Sequence, residues 1–131
     1  MAATISNRKR RAKREALLVY LYQLIYNVEI ESDINHAPSI ETSDAAKSII
    51  QAKEILTKKI QTIVFNWESL HVIEQLILII GAYEILNTRE SNPVFTINEC
   101  IMLSKKYGSQ DGYKLVNKVL DKFRLEIASP L

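Results

Sequence analysis

Leu76-Ile77-Leu78-Ile79-Ile80-Gly81-Ala82, seven residues with no polar side chain near the middle of a 131-residue chain, decide the fold. The run sits inside a longer segment, about Ser69 to Asn87, that reads as one helix. A helix apolar on every side is a buried helix, so this segment is expected at the centre of a helical bundle. The scarcity of turn formers agrees: 3 glycines and 3 prolines argue against a sandwich or barrel and for a few long helices with short connections. A chain of this length hides roughly two-thirds of its unfolded surface without metals or disulfides, so one compact domain is expected.

Downstream, Phe95-Thr96-Ile97-Asn98-Glu99 contains a T-x-x-E capping box, which predicts a fourth helix beginning near Ile97. That helix is expected to end at Tyr107, with Lys105 and Lys106 at the negative end of its dipole and Gly108 in a left-handed C′ conformation. A fifth helix follows from about Asp111 to Ile127, with Val116, Val119, Leu120, Phe123 and Ile127 facing inward, and Pro130 stops further helix. Upstream, a second helix is predicted from an N-cap at Thr42 or Ser43 to about Phe65, striped by Ile49, Leu56, Ile60 and Ile63. Asn66 closes it, and Trp67 packs at the corner that follows. Glu29 to Ser43 reads as a loop. The first helix spans about Asn7 to Asn27, its apolar row being Leu17, Leu21, Leu24 and Val28, with Ala16 and Tyr20 adjoining.

The net charge of +2 conceals an asymmetry. Arg8, Lys9, Arg10, Arg11, Lys13 and Arg14 crowd into seven residues before the first acidic residue, Glu15. Residues 15–131 then carry 11 basic against 15 acidic groups. A basic arm of residues 1–14 leading into a mildly acidic helical domain of residues 15–131 is the pattern of a polyanion binder. A solvated tail is the plain alternative. The cations, however, are continuous with the first helix and are expected in its first turns, where each opposes the macrodipole by roughly 0.3–1 kcal/mol. Phosphates would neutralise them and also suit a helix N-terminus. Six phosphate contacts on a single strand give a slope of log affinity against log salt near ~−4. Such contacts carry no sequence choice, which needs base edges or stacking faces. Tyr22, Tyr107 and Tyr113 are candidate platforms, each with an ordinary half-buried helix aromatic as its alternative.

Other chemistry is not indicated. The isolated Gly81, Gly108 and Gly112 form no phosphate-cradling loop, and His36, His71 and Cys100 lack metal-ligand spacing, so no cofactor, metal or enzymatic activity is expected. Cys100 reads as packing, through a staple contact with Phe95. As a lone cysteine it forms no internal bridge, and the chain has neither a signal-peptide start nor an apolar run of about 18 residues, so a cytoplasmic protein without a membrane partner is expected.

Arg10-Arg11-Ala12-Lys13-Arg14-Glu15-Ala16 followed by Tyr22-Gln23 resembles the opening of NusB proteins, a family of bacterial transcription antitermination factors. Tyr83-Glu84-Ile85-Leu86 is similar to the family's Y-E-L segment, Ile97-Asn98-Glu99 to its I-N-E, Lys105-Lys106-Tyr107-Gly108 to its K-K-Y-G, and Val116-Asn117-x-Val119-Leu120-Asp121-Lys122 to its V-N-G-V-L-D-K. The ordered set covers most of the chain except the loop and the second helix. The resemblance implies an all-α fold of about five main helices in two packed subdomains. It also implies pairing with the ribosomal protein NusE, binding to boxA-type RNA of ribosomal RNA operons, and work within a transcription elongation complex. By position it places Arg8, Lys9, Arg10, Arg11, Lys13, Arg14 and Tyr22 at the RNA, flanked by Asp111, Lys114 and Leu115, and turns Glu84 toward NusE. Glu84 also lies almost on the apolar stripe of the central helix, where an unpaired carboxylate is costly, so an internal pair or a solvent-reaching side chain is the other reading. Three residues depart from the pattern: Lys118 for a Gly, Leu115 for a Phe, and Ile79 for an Arg. Two further functions fit the same residues: a detached RNA-targeting module of the kind that precedes ribosomal RNA methyltransferase domains, and a helical adaptor whose basic arm binds an acidic protein. Neither oligomeric state nor base preference follows from the residues.

Overall fold

The computed structural model describes residues 2–28, 38–87 and 92–127, with side chains from residue 9 onward. Five α-helices follow one another among these residues: α1 Ala2–Tyr26, α2 Ile40–Gln61, α3 Val72–Asn87, α4 Pro93–Tyr107 and α5 Gly112–Lys122. A 3₁₀ turn, Trp67–Ser69, precedes α3, and a π-helical turn, Phe123–Ile127, prolongs α5. There is no strand among the described residues, and the fold is all-α as expected. His36, Pro130 and most of the Glu29–Ser43 loop lie outside the described residues. The chain forms two compact units, Met1–Ser48 and Ile49–Leu131.

In the second unit α3 is the central element, touching α4, α5 and the π-helical turn, while α4 lies against α5. Leu76 to Ala82 are all buried, as a run without polar faces requires. Val116, Val119, Leu120 and Phe123 close over them from α5; Ile127, also expected inside, is only half-buried. Each fully buried aliphatic of this kind contributes roughly 1.5–3 kcal/mol relative to exposure. Gly81 lets the three helices approach: a Cβ there would lie 2.7 Å from Leu120 Cδ1 and 3.1 Å from Cys100 Sγ. Cys100 is thus core packing, close against Gly81 of α3.

Several helix ends differ from expectation. α4 starts at Pro93, one turn before the predicted Ile97. Asn92 is its N-cap, with Oδ1 accepting from Val94 N at 3.0 Å, and Pro93 occupies the first position, where its missing N–H costs nothing. Thr96 and Glu99 therefore stand inside the helix, both buried, and not in a capping box. At the other end Gly108 has φ −89° and ψ −169°, extended and not left-handed. Glycine is needed there for space, as shown below.

α2 begins at Ile40, capped by Ser39, whose Oγ accepts from Thr42 N at 3.1 Å. It ends at Gln61, short of the predicted Phe65, because its last turn tightens: Ile63 N donates to Ile60 O at 2.9 Å and Thr62 Oγ1 to Lys59 O at 2.7 Å. Phe65 is fully exposed, whereas Ile49, Leu56, Ile60 and Trp67 are buried and Ile63 is half-buried.

In the first unit α1 closes with Asn27 at φ 51°, and Val28 N donates to Gln23 O at 3.3 Å, the six-to-one bond of a Schellman ending. Burial on α1 runs through Leu17, Leu18 and Leu21. Leu24 and Val28, assigned to the same row by spacing, are 45% and 42% exposed. Periodicity identifies the row but not how far along it the cover extends.

Candidate nucleic-acid interface

The basic run lies wholly within α1, which begins at Ala2, well before Asn7. Arg8 is thus the seventh residue of the helix, and the cations fill its middle turns. The macrodipole decays within the first turn, so neither the expected penalty nor a phosphate at the helix N-terminus applies to them. What the helix does is sort the cations by face. Lys9 and Lys13, four apart, lie on one row and are exposed. Arg10 and Arg14 lie on the row that continues into Leu17, Leu18 and Leu21; Arg10 is exposed and Arg14 half-buried, as is Arg11. Arg10, Arg11 and Arg14 each have an interaction within the chain.

Lys13 Nζ meets Glu41 Oε2 of α2 at 3.0 Å, with the two side chains 66% and 75% exposed. A pair this exposed is worth about 0–1 kcal/mol and yields readily to a stronger anion. Two turns further along α1, Tyr22 is half-buried and lies with its ring centroid 5.1 Å from that of Tyr26. The Tyr26 hydroxyl is held above the ordinary tyrosine range, mainly by burial and secondarily by the neighbouring Tyr22. Arg8 is in α1, but its side chain is not among those described.

The second unit carries its own group of cations around the α4–α5 turn. Asp111 is the residue before α5; it makes no side-chain cap bond, and its Oδ1 lies 3.6 Å from Lys114 Nζ. Lys105 Nζ stands 4.8 Å from the Tyr113 ring centroid and Lys114 Nζ 6.0 Å from it, while Lys106 Nζ is 5.3 Å from the Tyr107 ring. Leu115 is half-buried and Lys118 exposed. The spacing rules did not foresee the pairing of Lys105 with Tyr113, since it forms across a turn between two helices.

The turn itself is fixed from beneath by a residue that the sequence did not single out. Glu74, in the first turn of α3, is 1% exposed, and its Oε1 accepts from Ser109 N at 2.8 Å and from Ser109 Oγ at 2.9 Å. A Cβ on Gly108 or Gly112 would collide with this carboxylate; on Gly108 it would also come 2.8 Å from Ser104 O. Both glycines are therefore sites of close approach. His71 Nδ1 lies 3.2 Å from Ile73 N and 3.1 Å from Glu74 Oε2. Unprotonated, it accepts from the helix amide; protonated, it donates to the carboxylate. On the other end of α3, Glu84 is half-buried and has an interaction within the chain. Ile79, in place of an arginine, is 2% exposed and belongs to the core.

No group of three potential metal-ligating side chains occurs among the described residues, and no described helix is long and apolar enough to cross a membrane. Fold and surface together define a class: a small all-helical protein with exposed cations interleaved with tyrosines. The NusB family profile matches residues 41–124. The transcription antitermination protein NusB of Methylacidiphilum infernorum is 31% identical over 86% of this chain and 87% of its own length. The protein of the same name from Dechloromonas aromatica is 35% identical over 86% and 76%. The solved structure of T. maritima NusB superposes with a TM-score of 0.76 at 21% identity, covering 92% of this chain and 93% of that one, which shows the same fold. The chain belongs to the NusB family.

Proposed function

We propose that this chain is a transcription antitermination factor that binds single-stranded RNA of the boxA type in company with the ribosomal protein NusE. Family membership supplies the frame, since the relatives matched over most of their length are named transcription antitermination proteins. The observation that carries the RNA reading is the exposure of Lys9, Arg10 and Lys13 on α1, where the partner of Lys13 is the equally exposed Glu41. Phosphate is a better partner for such cations than a solvent-exposed carboxylate, because binding also releases condensed counterions. Arg8, Arg11 and Arg14 extend the same arm, and Tyr22 supplies an aromatic face farther along the helix. Asp111, Lys114 and Leu115 are assigned to a second strip of RNA contact at the start of α5, and Glu84 to the NusE side.

Titration of the protein, alone and with NusE, against boxA RNA and a scrambled RNA at two salt concentrations tests this. The expected result is tighter binding with preference for boxA only when NusE is present, and a log–log salt slope approaching ~−4 if all six arm cations reach phosphates. Replacing Arg10, Arg11 and Arg14 by Ala should weaken binding at unchanged helicity. Equal affinity for both RNAs in every mixture would reduce the chain to a nonspecific polycation. Binding to an acidic protein in preference to RNA would favour an adaptor.

A further inference from the structure

We infer that Tyr113 is a nucleobase-stacking subsite on the α4–α5 corner, distinct from the α1 arm, with Lys105 and Lys114 taking the phosphates on either side of the stacked base. The inference rests on the RNA-binding reading above. Single-strand binding sites combine aromatic faces with cations that track the backbone. Tyr113 is half-buried, so its ring is anchored yet reachable, and it draws ammonium groups from two helices: Lys105 of α4 at 4.8 Å and Lys114 of α5 at 6.0 Å. At Tyr107 the ammonium among the described residues is that of its sequence neighbour Lys106, at 5.3 Å. Leu115 has no π-face, and two residues along a helix it points away from the direction of Tyr113.

The lysines do not block the ring. An exposed ammonium–ring contact shifts an equilibrium by about two- to fivefold, whereas a base stacked on an aromatic side chain contributes about five- to 150-fold. A nucleotide therefore displaces the ammonium from the ring face, and the displaced lysine gains a phosphate. The Asp111–Lys114 pair, at 3.6 Å with side chains 76% and 67% exposed, is too weak to hold Lys114 back. The bond from Ser109 to the buried Glu74 fixes the turn between the two helices, so the lysines and the ring are presented without a large ordering cost.

The test measures the affinity of the full-length protein for a short oligouridylate and for the same backbone with abasic sugars. Tyr113→Leu should weaken oligouridylate binding about tenfold and leave the abasic probe within about twofold, while Tyr113→Phe retains both. An iodouridine-substituted oligomer should photocrosslink to Tyr113 in the wild-type chain, a readout independent of any variant's folding. Equal weakening of both probes, or none, together with crosslinks that avoid Tyr113, overturns the subsite while leaving RNA binding by the arm intact. Failure of the wild-type chain to bind either probe overturns the RNA-binding reading and this subsite with it.

Discussion

Replacing Gly112 by Ala should destabilise the protein although alanine is the better helix former. At the first position of α5 the substitution alone would gain up to about 1 kcal/mol from propensity and a less flexible unfolded chain. The new methyl, however, would occupy the space of the Glu74 carboxylate, lying 2.5 Å from Cδ and 2.9 Å from Cγ. Glu74 is buried and cannot swing into water without giving up both bonds to Ser109. A hydrogen bond to a charged group is worth about 1.5–3 kcal/mol, and the Ser109 N–H and hydroxyl would both lose their acceptor at this part-buried contact. Set against the helix gain, the net loss comes to about 3 kcal/mol. Glu74→Ala alone removes the same two bonds and costs a similar amount. In the double variant the carboxylate is already gone and the methyl has room, so the combined loss should approach that of Glu74→Ala alone, a coupling of about 2–3 kcal/mol. Urea unfolding of the four proteins, followed by far-ultraviolet circular dichroism with linear extrapolation, measures each free energy. Neutral or stabilising behaviour of Gly112→Ala, or losses that add to within about 0.5 kcal/mol, would refute the reasoning.

Three further outcomes follow from local geometry. Gly81→Ala should cost about 1–3 kcal/mol by overpacking against Leu120 Cδ1, 2.7 Å from the new Cβ, and a smaller residue at 120 should recover part of it; thermal unfolding of the single and double variants reports both. Asn92→Ala removes the acceptor of Val94 N and should destabilise by about 1 kcal/mol, visible as a lower urea midpoint at unchanged slope. Tyr26 should deprotonate above the ordinary tyrosine range in an ultraviolet difference titration, and Tyr22→Leu should lower its midpoint only in part, since burial is the larger cause. The sign is that of an acid favoured neutral in the fold: its contribution is complete at neutral pH and disappears only as alkaline pH passes through the raised value.

The sequence by itself determined the helices and the order of their burial. Leu76 to Ala82 could only be a buried helix, because no face of it tolerates water. Val116, Val119, Leu120 and Phe123 faced inward because their spacing is that of one helical face. The charge asymmetry and the family motifs were equally legible, being properties of residue order. What tertiary structure alone decided was every contact between residues distant along the chain. Glu74 is an unremarkable acidic residue in sequence, yet 35 residues later its bond to Ser109 sets the α4–α5 turn and explains Gly108 and Gly112 as places where no Cβ fits. Lys105 found Tyr113 only once that turn was folded. The capping box at Thr96 misled for a related reason: Asn92 and Pro93 made a better helix start one turn earlier, and competition between local signals is resolved by the packing that buries Thr96 and Glu99. Periodicity is a one-dimensional record of which residues avoid water; which of them meet is a matter of three-dimensional proximity.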